Sequence, residues 1–274
     1  MRVWTACLDG RVRTWLADAS AGGAMRLGFE TDLGAPVTCL ALLPLGTAGD
    51  ALGGVALAGC AGGGCALLRE DGTIAARFAP AIDDESEPSD VRSVAAVRGG
   101  LSLGLAGEAE ELTIFTGDAS GTICAWRHGN ASAATQGEEP AATEVPAFTP
   151  VRQLRGHNAA VISLSFSPAG VLVSGAHDGT LRVWDAAASR PLYAIAGHTA
   201  YLGSVVADGE RILADGACMR AMVSIETRSI FAASQLCVSC AQLTASLSDA
   251  LNGTNLPFLA GSNDVVVLHS FSGE

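Results

Sequence analysis

Residues 154–185 read LRGHNAAVISLSFSPAGVLVSGAHDGTLRVWD. Apolar and polar residues alternate through VISLSFS and again through VLVSGA and TLRVW. Ser-Pro-Ala-Gly separates the first two runs and His-Asp-Gly the second two. Alternation at a period of two, broken by turn residues, is the pattern of short half-buried strands joined by tight turns. The stretch also holds His157, Ser174 and Asp178, the residue types of a hydrolytic triad, and ends on Trp184 and Asp185.

Gly156–His157 recurs as Gly197–His198, a period of 41 residues. One period holds four short strand-like runs, the size of one propeller blade. Weaker copies flank it. TACLDGRVRTW places Thr5, Asp9 and Trp15 where Ser174, Asp178 and Trp184 fall. TGDASGTICAW places Thr116 and Trp126 at the serine and tryptophan positions, with Ser120 at that of the aspartate. AGCAGGGCALL offers only Ala58, Gly62 and Leu68 at the three positions. DGACMRAMVSI, ending at Ile225, and AGSNDVVVLHS, residues 260–270, complete the series. An apolar run precedes each copy but the first: VTCLALL, VRSVAAV, VISLSFS, LGSVVA and CVSCAQL.

Residues 154–198, with their GH…S-x3-D-G-T-x-R-V-W-D signature, closely resemble a blade of the WD-repeat family, such as those of G-protein beta subunits. The resemblance implies an all-β propeller of four-stranded antiparallel blades. It also implies that His157, Ser174, Asp178 and Trp184 form a structural hydrogen-bond tetrad, with partial versions at Thr5, Asp9, Trp15, Thr116 and Trp126. The physical case is independent. A buried imidazole or indole left unpaired costs about 1–3 kcal/mol, and a satisfied network fixes local geometry. A hydrolase would also need an accessible, activated hydroxyl and an oxyanion site, and the chain has no G-x-S-x-G nucleophile elbow. The expected catalytic set is empty.

Composition removes other chemistries. The chain has no lysine; all 16 of its basic residues are arginine. That excludes a P-loop lysine, a kinase lysine and a Schiff base with pyridoxal phosphate. The net charge of −12 and the lack of a basic stripe argue against a nucleic-acid partner. A protein or peptide partner with a basic surface is the natural complement.

The eight cysteines are scattered through apolar runs, as reduced buried thiols are. Cys237-x2-Cys240 has no matching second pair, so neither a metal nor another cofactor is expected. The start, MRVWTACLDG, lacks the apolar core of a signal peptide, which leads to a cytoplasmic or nuclear rather than secreted protein. Ala51–Leu68 is uncharged over 18 residues, long enough to raise a spanning helix. Six of those residues are glycine, so two strands joined at a glycine turn are expected instead and no membrane contact.

The expected architecture is one domain over 1–274 with six blade-like units, at 1–31, 35–80, 90–155, 156–196, 197–235 and 236–274. The first lacks an innermost strand and the last an outermost one. Three explanations follow: a truncated start, as of a seven-blade ring, ring completion by a partner or second copy, or a miscount at the ends. Residues 129–150 are expected to be a disordered insertion. Asp83, Asp84, Glu85 and Glu87, in the loop IDDESEPSD, and His177, beside the turn aspartate, are the candidate partner contacts. The innermost runs contain no histidine, aspartate or glutamate. The functional expectation is a non-catalytic scaffold within a multiprotein complex. The alternative is a propeller hydrolase with a metal site built from loops.

Overall fold

The structure is a computed structural model, described here for residues 2–18, 24–43, 53–79, 89–98, 112–128, 148–167, 170–196, 202–207, 211–216, 220–224, 230–234 and 265–269. Twenty strands form five four-stranded antiparallel sheets among these residues. The first sheet orders β1 (Arg2–Cys7), β2 (Arg11–Asp18) and β3 (Ala24–Asp32) outward. The second comprises β4 (Val37–Leu42), β5 (Gly54–Cys60), β6 (Cys65–Arg69) and β7 (Ile74–Phe78). The third comprises β8 (Val91–Arg98), β9 (Leu112–Asp118), β10 (Ile123–His128) and β11 (Phe148–Leu154). The fourth runs through β12 (Val161–Phe166), β13 (Val171–Ala176), β14 (Thr180–Asp185) and β15 (Arg190–Ala196). The fifth runs through β16 (Leu202–Ala207), β17 (Arg211–Gly216), β18 (Arg220–Ser224) and β19 (Ile230–Ser234). These are the blades of a β-propeller.

The remaining strand belongs to the first blade. β20 (Val265–His269) pairs antiparallel with β1, in the register Cys7↔Val265 to Val3↔His269. The one described strand of the sixth expected unit therefore fills the innermost place of the first blade. The physical reason is that the inner edge of β1 would otherwise present a row of unpaired N–H and C=O groups. A strand of the same chain thus completes this sheet. The apolar run from Cys237 lies outside the described residues.

Within the uncharged stretch 51–68, the described residues from Gly54 form β5 and β6, joined by a single 3-10 turn at Ala61–Gly63. No helix among the described residues is long and apolar enough to cross a membrane. Phe148–Pro150, expected within the insertion 129–150, open β11. Phe148 is buried there against Phe78, ring centroids 4.8 Å apart, which anchors the strand to the second blade. Residues 129–147 lie outside the described set.

The core is a series of apolar layers between neighbouring blades. Trp4, Val12, Leu40 and Leu68 pack between the first and second blades, and Leu57, Leu67, Ile114 and Trp126 between the second and third. Phe115, Ile123, Leu172 and Trp184 fill the next layer, and Val183, Leu202, Val205 and Ile212 the last. The second, third and fourth blades each take part in two such layers, which is why their central strands read as near-continuous apolar runs.

Side-chain hydroxyls on the innermost strands stitch one blade to the next. Thr38 Oγ1 donates to the Val91 carbonyl, and Ser93 Oγ donates to that of Val161 at 2.7 Å. Ser163 and Ser165 accept from the backbone N–H groups of Val205 and Ala207, both at 2.9 Å. Beside Ser93 the neighbouring strand must carry glycine. A Cβ on Gly117 would stand 2.5 Å from Ser93 Oγ and 2.7 Å from Val161 Cγ1.

Candidate functional site

The fourth blade brings its four singled-out residues together. His157 sits in the loop between β11 and β12, Ser174 on β13, Asp178 in the turn to β14, and Trp184 on β14. His157 Nε2 lies 2.6 Å from Ser174 Oγ, which also accepts the Trp184 indole N–H at 2.8 Å. His157 Nδ1 lies 3.3 Å from Asp178 Oδ2 and 3.1 Å from Thr180 Oγ1. The carboxylate is held in turn by Asn158 N–H on Oδ2, and by Thr180 N–H and hydroxyl on Oδ1 at 2.9 and 2.6 Å.

These partners fix the proton positions. A carboxylate can only accept, so Nδ1 carries the imidazole proton toward Asp178. Nε2 is then the acceptor, and Ser174 donates to it while receiving from the indole. Burial of His157 is the strongest influence on its titration and lowers its pKa, outweighing the opposing pull of Asp178. The imidazole is thus neutral at pH 7, and its contact with Asp178 is a hydrogen bond rather than an ion pair. Burial works against ionisation of Asp178 as well, but the Thr180 hydroxyl and the two backbone N–H groups prevail and bring it down to about 2.

The connectivity, carboxylate to Nδ1 and Nε2 to hydroxyl, is that of a serine-hydrolase triad. What differs is access. Ser174 has 0% of its surface exposed, and its second hydrogen-bonding site is taken by an indole.

The other blades carry versions of the same relay. In the first, Trp15 Nε1 donates to Thr5 Oγ1 at 3.0 Å. Asp9 accepts from the Arg11 N–H and, at 2.7 Å, from Arg13 Nη2. A guanidinium thus stands where the fourth blade has an imidazole, and its hydrogen bond lowers the Asp9 pKa. Arg13 continues to Glu30, which also pairs with Arg11, each at 2.6 Å. In the third blade Trp126 Nε1 donates to Thr116 Oγ1 at 2.9 Å.

Ser120 does not replace the turn carboxylate of the third blade; Asp118 supplies it from two residues earlier. Its Oδ1 accepts from Ser120 N–H, Ser120 hydroxyl and Thr122 N–H at 2.7–2.9 Å. The signal was present as D-x-S-G-T, an Asx turn, but alignment on the serine position hid it. Asp90 was also missed. Its Oδ1 accepts the Gly62 N–H of the second blade's turn, and its carbonyl accepts the Ala119 N–H of the third's. Asp90 therefore clamps two adjacent turns.

Of the candidate contact residues, His177 is exposed in the turn and donates its backbone N–H to the Ala160 carbonyl. Asp83, Asp84, Glu85 and Glu87 lie outside the described residues. No three His, Cys, Asp or Glu side chains among the described residues are grouped to hold a metal ion.

Residues 148–185, which span β11 to β14, match the family profile described as WD domain, G-beta repeat. The chain carries a WD repeat. It is 44% identical over 68 residues to Cell division control protein 4 of Saccharomyces cerevisiae, a stretch covering 25% of this chain and 8% of that protein. To Ribosome biogenesis protein YTM1 of Chaetomium thermophilum it is 57% identical over 47 residues, 16% of this chain and 10% of that one. The WD-repeat chain thus spans a tenth or less of these relatives in alignment. In three dimensions it is similar to Sqt1 of Saccharomyces cerevisiae, with a TM-score of 0.61 and 10% identity, over 86% of this chain and 58% of that one. A chain from the crystal structure of a Mitotic Checkpoint Complex matches with a TM-score of 0.56 and 19% identity, over 85% of this chain and 60% of that one. At such identities the structural likeness speaks for the fold of the WD-repeat protein alone.

Proposed function

We propose that this WD-repeat protein is a non-catalytic scaffold that holds a protein or peptide partner, within a multiprotein complex, across the face carrying its tight turns. The observation that carries this reading is the burial of Ser174 between imidazole and indole. A triad-like relay sealed from solvent has no route to a substrate carbonyl and serves to hold the turn between β13 and β14 in place. The exposed ornament of that turn is His177, and the turns of the second and third blades are tied together by Asp90. A rigid, polar turn surface of this kind suits recognition rather than turnover. The relatives support the same direction. One is named for ribosome biogenesis, and one structural neighbour is part of a mitotic checkpoint assembly. The chain's acidity favours a basic partner surface, with Asp83, Asp84, Glu85 and Glu87 as its contacts.

The test is native affinity purification of the full chain, with quantitative mass spectrometry of what accompanies it. A stoichiometric partner, lost on reversing the charges of the 83–87 loop but retained in Ser174→Ala, supports the proposal. A folded chain that hydrolyses an ester or peptide, and loses that activity in Ser174→Ala, overturns it.

A further inference from the structure

The turn end of the second blade carries a pocket of about 330 Å3. Leu33, Cys60, Ala66 and Phe78 line it and are buried, while Ala35 and Arg77 stand at its more open side. Two of its lining residues align with fourth-blade positions, Leu33 with His157 and Ala66 with Arg182. His157 stands four residues before Val161, and Leu33 stands four before Val37. Arg182 and Trp184 of β14 correspond to Ala66 and Leu68 of β6.

In the fourth blade those long side chains reach the loop that carries the histidine. A Cβ on Gly156 would stand 2.9 Å from Arg182 Nη1 and 3.2 Å from Trp184 Cη2. In the second blade the place of Arg182 is held by Ala66, whose short side chain lines the pocket. Arg77, paired across the strands with Ala66, borders it and donates Nη1 to the Leu33 carbonyl at 3.0 Å. Its side chain is exposed, and among the described residues no carboxylate forms an ion pair with it.

From this arrangement we infer that the pocket binds a compact apolar carboxylate. The hydrocarbon body lies against Leu33, Ala66 and Phe78, and the carboxylate meets the Arg77 guanidinium. The volume sits at the low end of the ~300–1,000 Å3 range of ligand sites, and apolar walls with one placed charge are their usual composition. Arginine is the cation whose planar fork matches a carboxylate. A chain of net charge −12 does not steer anions toward itself, so Arg77 acts by selecting at short range. The inference is independent of the scaffold proposal.

The test uses the 15N-labelled full chain, titrated with hydrocinnamate, with its uncharged amide, and with Gly-Gly-Phe bearing a free C terminus. Saturable shifts of the Gly64, Ala66 and Ala79 amides are expected with hydrocinnamate, about tenfold weaker with the amide. Arg77→Gln, at the exposed rim, is expected to weaken the acid about tenfold and leave the amide unchanged. Ala66→Met is expected to abolish both by filling the floor. Gly-Gly-Phe binding more tightly than hydrocinnamate would identify the ligand as a chain terminus; weaker binding would identify it as a free small acid. Absence of saturable shifts, or equal affinity for acid and amide, overturns the proposal. Partner recovery in the purification above reads the scaffold proposal separately.

Discussion

Ser174 Oγ lies 2.6 Å from His157 Nε2 and 2.8 Å from Trp184 Nε1, so a single hydroxyl satisfies two buried rings. Removing it orphans both. Ser174→Ala is expected to destabilise the chain by about 2–4 kcal/mol, since each buried polar group left unpaired costs about 1–3 kcal/mol. Asp178→Ala is expected to cost less, about 1–3 kcal/mol, because His157 Nδ1 keeps Thr180 Oγ1 within reach. Urea denaturation of the two variants checks the order. Equal stability to the parent in either would show that the relay does not form in solution.

Acid should loosen the same relay in two stages. Burial depresses the folded pKa of His157 below the ordinary imidazole value of 6.5, so the unfolded chain binds the proton more readily. Stability from this group therefore falls as pH drops below 6.5 toward the folded value. Asp178 follows, with its stabilisation present above 3.8 and lost as pH falls toward about 2. Its side chain is only 12% exposed, so the full loss is about 2 kcal/mol. In His157→Gln the first stage should disappear while the second is reduced but present. Thermal midpoints measured from pH 7 to pH 2 distinguish the two.

At Gly117 the third blade lies hard against the fourth, and any side chain there meets Ser93 and Val161. Gly117→Ala is expected to cost about 1–3 kcal/mol by overpacking. Pairing it with Ser93→Ala should recover part of that loss, because the 2.5 Å contact with Ser93 Oγ is then removed. A double-mutant cycle in denaturant gives the coupling. Additive losses would mean that the blades separate here rather than compress.

Thiol chemistry offers a check on the interblade core. Burial pushes Cys39 up to about 12 and Cys124 up to about 11, and raises Cys65 well above an ordinary thiol. These three sites should resist alkylation at pH 8 in the folded chain and react at full rate in denaturant. Peptide mapping after timed labelling assigns each site.

How much of this was legible in advance varied along the chain. The fourth blade was readable because His157, Ser174, Asp178 and Trp184 fall within one short stretch and repeat a phrase at a fixed period. Local pattern suffices where strands pair with their sequence neighbours. It fails where a partner comes from elsewhere. Arg13 substituting for an imidazole depends on Glu30, 17 residues away on the adjoining strand. Asp118 was hidden because an Asx turn accepts its carboxylate at a different position from the one the repeat favours. Asp90 looked like the end of a solvated acidic loop, and only the apposition of two turns gives it a role. The pocket beside Arg77 is bordered by Ala66, which in sequence suggests plain apolar packing rather than open space.

The pairing of β20 with β1 is the hardest case, since more than 250 residues separate the partners and the pattern of VVVLH names no mate. It also makes a sharp prediction. Val267 lies opposite Thr5 in the middle of the pairing. Val267→Pro removes a backbone donor and clashes with strand geometry, and is expected to free β20 from β1. The inner edge of the first blade then lies open, and Thr5 lies on that edge. Two results should follow together: hydrogen exchange at Val3–Cys7 accelerates by orders of magnitude, and the chain self-associates through the open edge. Val267→Thr, which keeps the donor and the β-branch, serves as the control and should behave as the parent. Unchanged protection of β1 in the proline variant would mean that its inner edge is paired by some other strand.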